Sequence, residues 1–320
     1  MKEIITCFMF SLCIFSSKAQ SKWVNIDSLF RPLPASVHVY KSSDSIDGKP
    51  NVMYYAIADM KDKSLNFTTD TTFKRRLTPT QFYHKNNEPL LVVNCSFFSF
   101  ATDQNLNVVI KNGKLIGYNE ETIPAKGHDT LTYFHSFFGA FGISKKRNAD
   151  VAWVYTDSSK KFAYASQTAI PFFRDSVDRV NLYSIKSNTR DEPVDFNKWK
   201  MKTAIGGGPV LVQNAEIKIT NNEERKFGGK AVNNLEPRTA IGYTKDQNII
   251  ILVCEGRSLN AAGLSLVQLA KIFKDLNCVE ALNLDGGGSS CMLINGKETN
   301  TPSTKGVQRA VPSVFLIEHK

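Results

Sequence analysis

The chain has 320 residues, 40 of them lysine or arginine and 30 aspartate or glutamate, for a formal net charge of +10, and 42% are hydrophobic. Such a composition excludes a disordered or collagen-like chain and is enough for a sizeable core. The positive balance favours an anionic partner. With no basic helix, no nucleic-acid motif and no interleaved aromatic–basic platform, nucleic acid is not expected as that partner.

The chain starts as a secretory leader would: Lys2, an apolar run over residues 4–15, then Ser17-Lys18-Ala19 with a cut expected after Ala19. The run is too short to cross a bilayer, so no stable membrane insertion is expected, and the mature protein should be periplasmic or secreted. Cys7 and Cys13 fall within the leader and lack the setting of a lipoprotein signal. Cys95, Cys254, Cys278 and Cys291 remain. All four lie in or beside apolar segments without Cys-x-x-Cys spacing, so they read as buried thiols rather than bridges or zinc ligands. The basic runs Lys74-Arg75-Arg76 and Lys145-Lys146-Arg147 read as solvated turns.

The rest is strand-rich. Residues 35–40 and 51–59 form apolar or alternating strands, and 89–100 form a strongly apolar one. Asn112-Gly113 suits the tight turn of a hairpin over 107–118. Residues 137–143 and 152–155 form a further pair. The stretch 157–195 is less periodic, with a short helix over 175–180. Residues 204–213 carry Gly206-Gly207-Gly208-Pro209 into an apolar strand, and 222–235 read as a mobile polar loop. Residues 238–243 and 248–254 form a hairpin. The clearest helix begins near Ser265, where Ser265 and Gln268 have capping-box spacing, and ends at Asn277. A buried strand over 279–284 then runs into Asp285-Gly286-Gly287-Gly288, followed by strands over 290–294 and 310–317. The class is α+β, with β-rich mixed sheets and a few helices. Three parts follow: a leader (1–19), a β-rich N-terminal part (20–84) and a single catalytic domain (85–320).

Asp285 is the main chemical candidate. Three glycines after a strand-end aspartate allow close backbone approach, and successive N–H groups in such a turn can cradle an anion. Ser289 and Ser290 add hydroxyls, while Arg238 and Arg257 could grip phosphate. The competing reading is a turn that needs glycine only for its geometry. Gly207 and Gly208 offer a second place for backbone approach. Neither cluster is a P-loop or a dinucleotide fingerprint. Glu255 and Asp285 each follow an apolar strand flanking the helix, so two carboxylates would share a cleft if those strands belong to one sheet. The histidines lack metal-ligand spacing.

Several segments together resemble the phosphodiester glycosidase domain family, which includes N-acetylglucosamine-1-phosphodiester α-N-acetylglucosaminidases and many bacterial members. They are residues 94–98, 206–211, 237–242, 255–257 and, most specifically, 264–292. The resemblance spans residues 85–317 and implies an exported bacterial enzyme that hydrolyses a sugar-1-phosphodiester to free sugar and phosphomonoester on surface, dietary or host glycans. It implies that Asn94, Arg238, Arg257, Asn283, Asp285 and Gly287 line the pocket. Asp285 would act as nucleophile or base, Glu255 as the other carboxylate, and Arg238, Arg257 and the N–H groups of Gly286, Gly287, Gly288 and Ser289 would hold phosphate. This chain has Cys95 where the family usually has glycine, Glu255 where it has aspartate, and Gln268 where it often has glutamate. A non-catalytic glycan-binding module and an enzyme that modifies exopolysaccharide or wall polymers are the alternatives. No cofactor is required, although Asp285, Asn283 and backbone carbonyls could hold a divalent cation such as calcium.

Overall fold

The computed structural model describes residues 21–120, 122–124, 133–170, 173–174 and 196–320. The expected leader with Cys7 and Cys13, and the expected helix over 175–180, lie outside the described residues. The α+β class holds, and every described strand pair is antiparallel.

An eight-stranded sheet forms the frame. Its order is Val24–Asn25, Val37–Ser42, Met53–Asp59, Asn248–Cys254, Arg238–Thr244, Cys278–Asn283, Val210–Gln213 and Glu216–Ile217. A seven-stranded sheet includes Phe138–Ser144, Ala149–Tyr155 and Met201–Gly206, and a five-stranded sheet includes Leu65–Thr71, Leu91–Asn94 and Ser313–His319. The strands before residue 85 are built into these sheets. Met53–Asp59 pairs with Asn248–Cys254, and Leu65–Thr71 with Ser313–His319.

The apolar run Asn248–Cys254 shows why the layers form. Side chains alternate across a strand, so both faces of this one are apolar. Ile249, Ile251 and Val253 enter a core shared with Phe141, Trp153 and Phe315 of the other sheets. Ile250, Leu252 and Cys254 join the opposite core with Leu266, Leu269, Ala270 and Phe273 of the helix Leu266–Asp275. Each large apolar side chain buried there is worth about 1.5–3 kcal/mol. Ser265 Oγ accepts from the Gln268 N–H (3.2 Å) and Gln268 Oε1 from the Ser265 N–H (2.9 Å), which completes the capping box. Asn277 is left-handed at the far end (φ 59°).

Asn112-Gly113 (φ 52° and 76°) makes the tight turn expected of it, and Asn295-Gly296 (φ 48° and 75°) makes another. The four described cysteines are free and buried. Other expectations are corrected. The strand expected over 89–100 is confined to Leu91–Asn94, because the chain then turns away into the site. The strand Leu65–Thr71, rich in threonine, and the capped helix Pro79–Lys85 were not anticipated. Arg147 is no solvated turn residue: its guanidinium donates to the carbonyls of Met60, Asp62 and Leu65. Residues 222–235 are no loose loop either, since the helix Asn221–Glu224 buries Glu224 and a 3-10 turn follows at Gly229–Asn233.

Arg238–Thr244 lies between Asn248–Cys254 and Cys278–Asn283 and is antiparallel to both. The start of the Arg238 strand therefore shares one end of the sheet with Cys254-Glu255 and with Asn283-Leu284-Asp285.

Candidate active site

At that end the chain leaves the sheet through Asp285. The Asp285 N–H donates to the Cys95 carbonyl (2.8 Å), and the Asp285 carbonyl accepts from Asn94 Nδ2 (2.6 Å). The Gly287 N–H donates to the Pro237 carbonyl (2.8 Å), and a 3-10 turn follows over Gly287–Ser289. Each glycine answers a separate demand. A Cβ on Gly286 would lie 2.7 Å from the Pro237 carbonyl oxygen, and one on Gly288 would collide with the Arg309 guanidinium. Gly287 has φ +60°, with the Arg257 guanidinium over it: Nη2 would be 3.2 Å from an added Cβ. Asp285, Gly286 and Gly287 are only half-buried, so the bend opens outward.

The Asp285 carboxyl is pushed up to about 6, first by burial, with the Ser289 hydrogen bond and the charges of Arg309 and Lys226 opposing. Its Oδ2 is buried without a hydrogen-bond partner. Arg309 Nη1 reaches Ser289 Oγ (3.4 Å), so Asp285, Ser289 and Arg309 form a chain. Arg257 sits in a left-handed conformation (φ 63°) and is held by Glu236 (2.7 Å). Lys226 adds a third cation, half-buried beside the rings of Phe97 and Phe138.

Several expected ligand groups are occupied by the protein itself. Asn94 is fully buried. Besides its bond to Asp285, its Oδ1 accepts from Thr239 Oγ1 (2.9 Å) and the Cys291 N–H (3.1 Å), so it holds the turn. Arg238 is 5% exposed and donates to the carbonyls of Leu264 (2.9 Å) and Asn234 (3.0 Å). Burial brings it down to about 10, with the charge of Glu236 opposing. Asn283 Nδ2 donates to the Gly208 carbonyl (2.8 Å), while its Oδ1 is buried without a partner. Gly207 and Gly208 are themselves buried. A Cβ on Gly207 would collide with the Asn283 carbonyl, and one on Gly208 with Glu224 Oε2. Glu255 Oε1 accepts the Thr301 N–H (2.8 Å). Arg238 remains at the turn even so, for its Cα would be 3.6 Å from a Cβ on Gly286.

The sequence reading missed Arg309, Lys226 and Glu224. The latter two lie in the polar stretch taken for a loop, where a carboxylate two residues before a lysine between apolar Phe97-Phe98 and Phe137-Phe138 segments has no local signature. Among the described residues, no three histidine, cysteine, aspartate or glutamate side chains converge as a metal site.

The fold and the turn define a β-rich α+β domain that holds an acid in a glycine turn at one end of its largest sheet. The family profile for phosphodiester glycosidase matches residues 141–318, and the chain belongs to that family. It is 37% identical over 83 residues to the SPbeta prophage-derived uncharacterized protein YomE of Bacillus subtilis, covering 26% of this chain and 13% of that one. It is 30% identical over 100 residues to mouse N-acetylglucosamine-1-phosphodiester alpha-N-acetylglucosaminidase, covering 31% of this chain and 19% of that one. The chain thus spans less than a fifth of the length of either curated relative. The zebrafish catalytic domain of the same name, auto-inhibited by its pro-peptide, superposes with a TM-score of 0.58 at 20% identity, over 94% of this chain and 89% of that one. A hypothetical protein from Synechocystis gives 0.61 at 14%, over 93% and 64%. At these identities the two structures speak to the fold.

Proposed function

We propose that this protein is an exported glycosidase that hydrolyses a sugar-1-phosphodiester, with Asp285 at the reacting centre. The observation that carries this reading is an acid with a free, buried oxygen in a turn whose glycines face two guanidinium groups. Water adds to the anomeric carbon, the bond from that carbon to the phosphate oxygen breaks, and a phosphomonoester leaves with the electron pair. That leaving group is already weakly basic, so fixed positive charge matters more than a strong acid. Arg257 and Arg309 supply it in advance, without reorganisation during the reaction. Asp285, ionised above about 6, serves the developing positive charge on the ring as nucleophile or as base for water.

The residue pattern before position 20 supports export, and the guanidinium pair supports phosphate rather than a neutral glycoside. Those guanidinium groups and Lys226 also disfavour a calcium ion at Asp285, because like charge would oppose it. The test is incubation of the purified mature protein with α- and β-sugar-1-phosphodiesters, with and without chelator. Release of free sugar and phosphomonoester, abolished by Asp285→Asn, is expected. Binding without release would make the protein a glycan-binding module instead.

A further inference from the structure

Lys226 is a cation in the wrong place for a structural lysine. Its ammonium lies 3.9 Å from the Phe97 ring centroid and 4.4 Å from that of Phe138, and among the described residues no carboxylate comes within ion-pair distance. Ring faces offset only part of the cost of removing an ammonium from water. The obvious counter-charge is Glu224, two residues earlier, but its oxygens are taken. Glu224 accepts from the N–H groups of Gly139 (2.9 Å) and Val210 (2.9 Å), from Thr220 Oγ1 (2.6 Å) and from Trp153 Nε1 (3.3 Å). Four donors fasten that carboxylate to the strands around Gly208 and leave the lysine facing elsewhere. The other charges acting on Lys226 are Asp285 and Glu120, and Asp285 has the partnerless oxygen. The lysine stem packs beside Gly208, its Cδ 3.6 Å from where a Cβ would stand. It thus comes to the site beside Gly208, within electrostatic reach of Asp285.

We propose that Lys226 binds a phosphate oxygen of the substrate and selects phosphodiester-linked sugars over uncharged glycosides. This rests on the phosphodiester glycosidase reading and names the group that would make the preference. An ammonium held between rings is poorly hydrated and therefore awaits an anion. Together with the arginines of the glycine turn, Lys226 would fix the phosphate beside Asp285.

Burial brings Lys226 down to about 8, with the charges of Glu224, Asp285 and Glu120 opposing the fall. Its ionisation should therefore be visible in kcat/KM, which reports free-enzyme groups. Wild type should lose kcat/KM on a methyl sugar-1-phosphodiester as pH rises through about 8. Lys226→Arg should retain that activity to higher pH, and Lys226→Met, which keeps the packing stem, should fall roughly 10- to 100-fold at pH 7. In wild type, inorganic phosphate should slow acetylation of Lys226 by acetic anhydride, read by peptide mass spectrometry; this measurement needs no variant to fold. If Lys226→Met cleaves the diester at the wild-type rate with the same alkaline limb, or phosphate leaves Lys226 acetylation unchanged, the proposal is wrong while the activity stands. If wild type cleaves no sugar-1-phosphodiester yet phosphate protects Lys226, the activity reading fails and the anion site remains.

Discussion

The two triple-glycine segments have the same sequence signature and different surroundings. Gly286-Gly287-Gly288 lies half-open at a sheet end, under Arg257 and Arg309 and beside an acid with a free oxygen. Gly206-Gly207-Gly208 is buried, and the space where its side chains would stand is filled by Asn107, the Asn283 main chain and the Glu224 carboxylate. Glycine in the first admits guanidinium groups beside a backbone that faces outward; in the second it lets layers of the protein close on one another. A glycine cluster marks close approach, and the neighbouring charges decide what approaches.

The sharpest way to break this contrast is Asp285→Asn. Turnover should fall roughly 10³-fold, and stability should move the other way. Burial favours the protonated acid, so ionising Asp285 costs nothing below its unfolded value of 3.8, and the full cost is reached once pH passes about 6. The variant should therefore melt above wild type at pH 7, with the gap closing as pH falls from 6 towards 4. A folded variant with normal turnover would remove the open turn from the chemistry.

Next comes the glycine pair itself. Gly208→Ala meets a φ of +121° and the Glu224 carboxylate, and should cost about 2–4 kcal/mol in denaturant unfolding, so that its main effect is on stability. Gly287→Ala, at φ +60°, should cost about 1–2 kcal/mol but raise KM about tenfold by displacing Arg257. Exchanged phenotypes would mean the two turns have been assigned the wrong way round. Arg238→Lys loses the bonds to Leu264 and Asn234 and should lower stability by about 2 kcal/mol. An unchanged melting temperature with a raised KM would return Arg238 to the ligand. The smallest effect is expected from Glu255→Gln, whose amide oxygen can still accept the Thr301 N–H. Kinetics should stay within about threefold, and a loss of about 100-fold would make Glu255 a working second carboxylate.

What could be read from the chain follows from the range of the forces involved. Capping at Ser265, the Asn-Gly turns and the two-faced apolar strand at 248–254 are local, and periodicity or turn chemistry reports them. Asp285 before three glycines was legible for the same reason. The tasks of Asn94 and Arg238 were not, because their partners lie 191 residues away in one case and on backbone carbonyls in both. Lys226 was hidden because its isolation depends on Glu224 being engaged by Gly139, Trp153, Val210 and Thr220, which come together only in the folded sheets.

The fastening of Asp285 to Asn94 and Cys95 has a kinetic consequence. Leu91–Asn94 is itself zipped to Ser313–His319, which also pairs with Leu65–Thr71. These contacts join distant parts of the chain, and such topologies assemble slowly because ring closure over long separations precedes any reward. Without Ser313–His319 the strand Leu91–Asn94 loses this partner, so the support of the reactive turn depends on a pairing that closes late.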